Sequence, residues 1–514
     1  MNVRKMAVIA LLMSSAFTMV AQQPRKSPSA KAHNPRKVET YAATGTAAYG
    51  DSIKPEAMIA KALRNVSADH IRQLDLKLVS FGTRHTMSAG LGAFSLPQTE
   101  GGVDPVDLYS EKYSKHGIAA AREWIKQEFQ RIADDCHGCL QVETDEFTQP
   151  VSDRISKPTQ IVNVYAVQRG TDPEQAKRIF LVTGHYDSRN SDGMDITKPA
   201  PGANDDASGT CVSLESARVL SKLKFPATII YLTVAGEEQG LYGSEHFAKM
   251  AREKGWQIEG VLNNDIVGGN RTPADKEQDP TIVRVFSEGI PSTATEKEAR
   301  RQISLGYDHD GPSRQLARYT RVVARAYLPQ IGAGRFTPKL VFRYDRFLRG
   351  GDHISFNEAG YPAVRFTEYR EDFNHQHQTP RMEKGIEYGD LPKFVDFDYV
   401  ANVARLNAAT LASLASAPAA PANVRMSVKE LENVTQLAWD AVSGASGYEV
   451  LWRATTSPEW ENIESFGEVT RATLPHSKDN VIFGIRSLDR RGHKSLVVVP
   501  QPVQSLDNAA SPSK

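Results

Sequence analysis

The sequence predicts an α/β protein, a mostly parallel mixed sheet with helices on both faces, followed by a small C-terminal β-sandwich. Three observations predict it. Short apolar runs alternate with helical patterns through the middle of the chain, polar and ionisable residues end those runs, and composition changes after the stretch APAAPAN at 417–423. A length of 514 residues accommodates two to four domains. With 62 Lys plus Arg against 61 Asp plus Glu, the net charge is +1. That balance argues against nucleic acid as a partner, which would call for a clustered basic excess.

At the N-terminus, Arg4 and Lys5 precede an apolar stretch at 6–21 and a polar run comes after it. This order is that of a secretory signal peptide over 1–21, so a periplasmic or secreted location is expected. No later segment is apolar enough to span a bilayer. Residues 22–55, rich in Ser, Ala, Lys, Pro and Thr, read as a linker or pro-segment. In an oxidising compartment Cys136 and Cys139 read as a local disulfide, and Cys211 is left as a buried thiol.

The catalytic-sized domain spans 56–416. Ile118, Ala121, Ile125, Phe129 and Ile132 recur at helical spacing. IFLVT at 179–183 and ATIIYLTV at 227–234 read as buried strands, with helices at 212–220 and 243–254. Further strands are expected at 261–266 and 363–366, and a last helix runs to about Ser416 with Val400, Val403, Leu406, Leu411 and Leu414 on one face. The segment from about Ile290 to Phe347, with Tyr307 and many arginines, is expected to form a lid. After the linker at 417–423, short β-type runs over 424–505 predict the sandwich.

The chemistry lies where the predicted strands end. His185, Asp187 and Ser188 come after the first strand, Asn204, Asp205 and Asp206 precede a helix, Glu237 and Glu238 come after the second strand, and Asn264 and Asp265 after the third. The carboxyl ends of strands in an open α/β sheet are where ligands bind. Two imidazoles and three carboxylates without thiolate suit zinc or a similar divalent ion. Two ions sharing one aspartate carry +4 against −3 from Asp205, Glu238 and Asp265, and one bridging hydroxide balances the rest. Such a pair makes a hydrolytic site. Glu237 cannot easily ligate the same ion as its neighbour, which frees it to move a proton.

In this order, His185, Asp187 and Ser188, then Asn204 to Gly209, Gly236 to Gly240, Asn264 and Asp265, and Gly351 to His353 resemble the secreted di-zinc aminopeptidases. That family also contains glutaminyl cyclases and some carboxypeptidases. The resemblance covers roughly residues 60–415 and implies a zinc-exopeptidase fold and two zinc ions per chain. Carried over, His185 and Asp265 bind one zinc, Glu238 and a distal histidine the other, Asp205 bridges, and Glu237 is general base. Of the two distal candidates, His377 is favoured over His375. Arg381 stands where the family often has an acid. Asp187 is expected to orient His185, and Asp352 with His353 to form a pair beside the substrate, with Arg349 as a substrate or oxyanion group. The C-terminal module is similar to fibronectin type III, in the placement of Trp439, Tyr448 to Trp452 and Phe483 to Asp489, although Val481 replaces the expected corner tyrosine.

The implied function is an exported aminopeptidase acting on peptides. Its rivals are a zinc carboxypeptidase using Arg349 or Arg346, a glutaminyl cyclase, which Gln376 before His377 argues against, and a non-catalytic adhesion protein. The C-terminal module is expected to contact a surface, a polymer or the peptidase core.

Overall fold

The computed structural model describes residues 48–89, 116–269, 271–272 and 275–506, so the expected signal peptide and most of the 22–55 segment lie outside them. The described chain begins with strand β1 (Ala48–Tyr49) and helices α1 (Ala57–Leu63), α2 (Ala68–Val79) and α3 (Gly117–Asp135). An antiparallel pair comes next, β2 (Gln141–Gln149) and β3 (Thr159–Gln168). Then come β4 (Arg178–His185), α4 (Ser208–Leu220), β5 (Thr228–Val234), α5 (Tyr242–Glu253) and β6 (Gln257–Asn264). The domain closes with β7 (Ile282–Ser287), α6 (Glu296–Ser304), α7 (Pro312–Tyr327), β8 (Thr337–Val341), α8 (His353–Glu358), β9 (Ala363–Glu368) and α9 (Phe397–Ser416).

Strands β2 to β9 form one eight-stranded sheet in the order β2-β3-β5-β4-β6-β9-β7-β8. Its centre is parallel, since β4 pairs β5 and β6, and β6 pairs β9, in the same direction. The flanks supply the antiparallel pairs. Side chains alternate between faces along each strand. Ile229 and Tyr231 of β5, with Phe180 and Val182 of β4, join α1 to α4, α7 and α9 in one core. Ile230 and Leu232, with Ile179 and Leu181, face α5 and α8 in the other. Burial on both faces explains why these strands read as continuous apolar runs rather than alternating ones. Helix α9 is buried well beyond its one leucine and valine face, because Ala401, Ala404, Ala408 and Ala412 let neighbouring helices approach closely.

Cys136 and Cys139 are bonded to one another just past α3, and Cys211 is buried in α4. The C-terminal residues form two four-stranded sheets that enclose Trp439, Tyr448, Val450, Phe483 and Ile485. One of those sheets takes β1 as its edge strand. The expectation of a free linker through residue 55 therefore fails at its end. Asp51 pairs at 2.7 Å with the buried Arg486, and His493 Nε2 lies 3.0 Å from Glu56.

The expected lid is also corrected. Most of 290–341 builds α6, α7 and β8, and Tyr307 is buried with Trp460, Ile463 and Val497 against the sandwich. The last residues of the expected lid, up to Phe347, lie outside these elements. Asp310 sits at the junction with the sandwich, between Arg318 of α7 (3.0 Å) and Arg453 of the sandwich (2.7 Å), all nearly solvent-free. Removing one member of a buried ion pair strands its partners. Asp310→Ala is therefore expected to destabilise the protein by about 3–5 kcal/mol, read as a shifted urea midpoint. An unshifted midpoint would mean that the sandwich is not held through this charge.

Candidate metal centre

The parallel strands bring their carboxyl ends to one edge of the sheet. His185 ends β4, Glu237 and Glu238 lie in the turn after β5, Asp265 comes directly after β6, and Asp205 lies in the loop before α4. His377 arrives from the loop after β9, with a left-handed backbone at φ 56°. The ligand atoms of His185, Asp205 and Asp265 all lie within 4.8 Å of one another, as do those of Asp205, Glu238 and His377. Asp205 belongs to both groups. Its Oδ1 is 3.1 Å from His185 Nε2, and its Oδ2 is 2.9 Å from His377 Nε2. Glu238 Oε2 is 3.1 Å from the same His377 nitrogen.

Three carboxylates outside these groups hold the loops in register. Asp206 accepts the backbone N–H groups of His185, Gly209 and Ile266, tying three elements together. A side chain at Gly209 would put Cβ 2.2 Å from Asn264 O and 2.5 Å from Asp206, so only glycine fits there. Asp390 accepts from the N–H groups of Asn204 (2.8 Å) and Asp205 (2.7 Å). Asp187 accepts from Glu237 N and Glu238 N at 3.3 and 3.1 Å. The His185 ring is steered mainly by the backbone of Asp187, whose carbonyl O is 3.1 Å from Nδ1 while its carboxylate is 3.5 Å away. A donated Nδ1–H leaves Nε2 as the free lone pair.

Arg365, fully buried in β9, pairs at 2.7 Å with Asp265 Oδ1 and at 3.3 Å with Asp345. Sequence reading gave no role to Asp206, Asp390, Asp345 or Arg365. A signal existed for Arg365, a lone charge in the otherwise apolar AVRF run. Asp352 and His353 do not pair as expected. His353 Nε2 faces the Tyr344 carbonyl at 3.0 Å, and burial draws its pKa down to about 4. Asp352 is fully buried, and burial, against the pull of His185, pushes it up to about 7. Arg349 reaches the rim of the centre, 3.4 Å from His377 Nδ1 and from Gln376 Oε1. His375 turns away and stacks on Phe394 at 3.7 Å. Arg381 stacks on Tyr388 at 4.0 Å.

These residues make two groups, each of the kind that holds a divalent cation. His185 Nε2 and Glu238 Oε1 are buried yet make no directed hydrogen bond, although acidic and basic atoms crowd them. Five nitrogen and oxygen donors without sulfur match zinc. Glu237 belongs to neither group and its Oε2 is 3.9 Å from His185 Nε2. Burial raises its carboxyl well above the usual range, opposed by His185 and reinforced by Asp265 and Glu238. Burial lowers the pKa of His377, but Glu238 and Asp205 outweigh it and hold that proton up to about 10.

A carboxylate shared between two histidine-bearing groups defines the fold and site as those of a metal-dependent hydrolase. Residues 163–390 match the model of peptidase family M28. A probable zinc metalloprotease of Leptosphaeria maculans is 43% identical over 450 residues, covering 87% of this chain and 98% of the relative. Another, of Pyrenophora teres f. teres, is 42% identical over 452 residues, covering 87% and 88%. The chain belongs to peptidase family M28. Among solved structures, the LapA aminopeptidase of Legionella pneumophila superposes with a TM-score of 0.46 at 20% identity, over 72% of this chain and 77% of that one.

The geometry makes the two distal histidines separable by experiment. His377→Ala should lower bound zinc by about one equivalent per chain while His375→Ala retains it, measured by elemental analysis after dialysis. Full retention of zinc in His377→Ala would remove His377 from the centre. A zinc ligand must be neutral, so binding at pH 7 has to displace the His377 proton. Calorimetry in buffers of different ionisation enthalpy should show at least one proton released, with affinity falling as pH is lowered.

Proposed function

We propose that the protein is an exported zinc aminopeptidase that binds two zinc ions and removes N-terminal residues from peptides. One observation carries this reading, the division of the Asp205 carboxylate between His185 and His377. A carboxylate so placed has one oxygen for each of two cations. Two zinc ions, when bound, would polarise the scissile carbonyl and acidify water beside it. Glu237 then takes the proton from the attacking water and hands it to the leaving amine nitrogen, which its raised pKa suits. Asp187 keeps Glu237 and Glu238 in their separate places by accepting both backbone N–H groups. The positive N-terminus of the peptide is drawn to the carboxylates around Glu237. The apolar stretch at 6–21 supports export, and the sandwich, similar to fibronectin type III in its aromatic pattern, serves the peptidase core on which it packs.

A carboxypeptidase is the second reading, favoured by the position of Arg349 at the rim. Arg346, the other cation considered for that role, is committed to Asp345 and Glu371.

Hydrolysis of an aminoacyl-arylamide panel with and without chelator, beside N-blocked peptides, tests the proposal. Chelator-sensitive release from free amines alone is expected, and cleavage confined to blocked peptides would overturn it. Glu237→Gln should reduce turnover by roughly 10²–10⁴ while zinc content stays intact. If zinc is lost instead, Glu237 and Glu238 have exchanged roles.

A further inference from the structure

Phe347 and Phe373 are the only exposed phenylalanine, tyrosine or tryptophan side chains among the described residues, at 80% and 62% exposure. Phe373 stands beside Arg349 at the rim of the centre, and Phe347 comes two residues before that arginine in the chain. The Arg349 guanidinium is 5.8 Å from the Phe373 ring and 3.4 Å from His377 Nδ1. Leu348 joins them, fully exposed at 104% and held in the left-handed region at φ 57°. A branched residue in that conformation stores strain, which folded chains retain mainly at ligand clamps and active sites.

The exposure is built into the fold. On one side of the tip Arg346 is fastened to Asp345 and Glu371, and on the other the Gly350 carbonyl accepts from the buried Arg365. Gly351 packs so tightly that a Cβ there would lie 2.5 Å from Arg365 Nη1 and 3.1 Å from Asp265 Oδ2. The same buried arginine that pairs with Asp265 thus pins the base of the tip. Three residues between fixed ends have little room to fold back and bury themselves, and Arg343 lies over the Phe347 ring at 4.0 Å.

We propose that Phe347, Leu348 and Phe373 form a subsite for apolar side chains of the peptide downstream of the scissile bond, with Arg349 hydrogen-bonding the peptide backbone between them. This inference rests on the aminopeptidase reading. In that reaction one residue precedes the scissile bond, and its free amine has to face Glu237 and the centre. All the rest of the peptide leaves across the rim. An extended peptide advances about 3.3–3.6 Å per residue, so a group touching the outer nitrogen of His377 meets the second or third residue. Arg349 suits a carbonyl there. If His377 Nε2 holds a cation, Nδ1 carries the ring proton and cannot accept from Arg349, whose remaining contact is a long one to Gln376 Oε1 at 3.4 Å. An apolar patch beside a cation matches a peptide with an apolar residue in the third position. The preferred substrates are therefore peptides of three or more residues, chosen by the side chains downstream of the bond.

The zinc-loaded full chain is assayed with Leu-Gly-Phe-Gly and Leu-Gly-Gly-Gly, measuring release of the first leucine. Wild type should favour the phenylalanine peptide by about tenfold in kcat/KM, carried by KM, the scale on which partial burial of one aromatic side chain acts. In the triple variant Phe347→Ser, Leu348→Asn and Phe373→Ser the ratio should fall to about one. Asparagine tolerates the left-handed backbone at 348, so the tip keeps its shape. A wild-type ratio near one, or a ratio unchanged in the variant, overturns the subsite. Release of leucine from neither peptide would instead overturn the aminopeptidase reading on which the subsite depends. Restoring Phe373 alone should recover part of the preference, and no recovery with Phe373 and Phe347 both restored would also overturn it.

Discussion

The crowding of buried carboxylates at one edge of the sheet is the constraint on which the rest of the structure depends. Asp187, Asp205, Asp206, Glu238 and Asp265 all lie within the loops around His185, and each is nearly solvent-free. Like charges at such distances repel strongly in a medium of low dielectric. The fold answers the repulsion in three ways. Asp206 and Asp187 are surrounded by backbone N–H groups, and Asp265 is paired with Arg365. Asp205 and Glu238 have imidazoles instead, and the buried Glu238 Oε1 has no directed partner. The negative charge left over is concentrated where a cation could remove it.

That division separates acids that hold the backbone from acids grouped with the two histidines. Neighbouring residues fall on opposite sides of it. Asp205 shares its oxygens between two histidines while Asp206 fastens β4, α4 and the turn after β6. Glu238 joins the second group while Glu237 stands apart from both. Consecutive residues on a turn point in different directions, so a pair of acids delivers two functions from one short segment. Glu237 owes its place to this geometry, and burial holds its carboxyl well above the usual range.

Much of this was legible in the sequence, for identifiable reasons. The central strands are long apolar runs because they are buried on both faces, and the polar residues that end them stand out sharply. Polar pairs such as Asn264 and Asp265 could be placed without coordinates. Residues acting through a partner distant in sequence were harder to see. Asp390 is an acid after a glycine in an unpatterned loop, and nothing local shows that it grips the N–H groups of Asn204 and Asp205. The segment from about Ile290 to Phe347 looked like a lid because arginines fill it. Those arginines are there to meet acids such as Asp310 and the sandwich, a surface invisible until the chain is folded.

Arg365 shows how far the consequences of one buried charge extend. A guanidinium in the middle of an apolar strand needs several acceptors, and here they are Asp265, Asp345 and the Gly350 carbonyl. Asp345 in turn holds Arg346, and Arg346 holds Glu371, whose second oxygen takes Arg284. The chain of alternating charges runs outward from a residue of the metal centre to the base of the exposed tip at Phe347 and Leu348. One buried network thus joins a residue of the candidate centre to the base of the tip. The position of the centre and that of the rim are a single structural decision, made where a strand buries an arginine beside an acid that it must share.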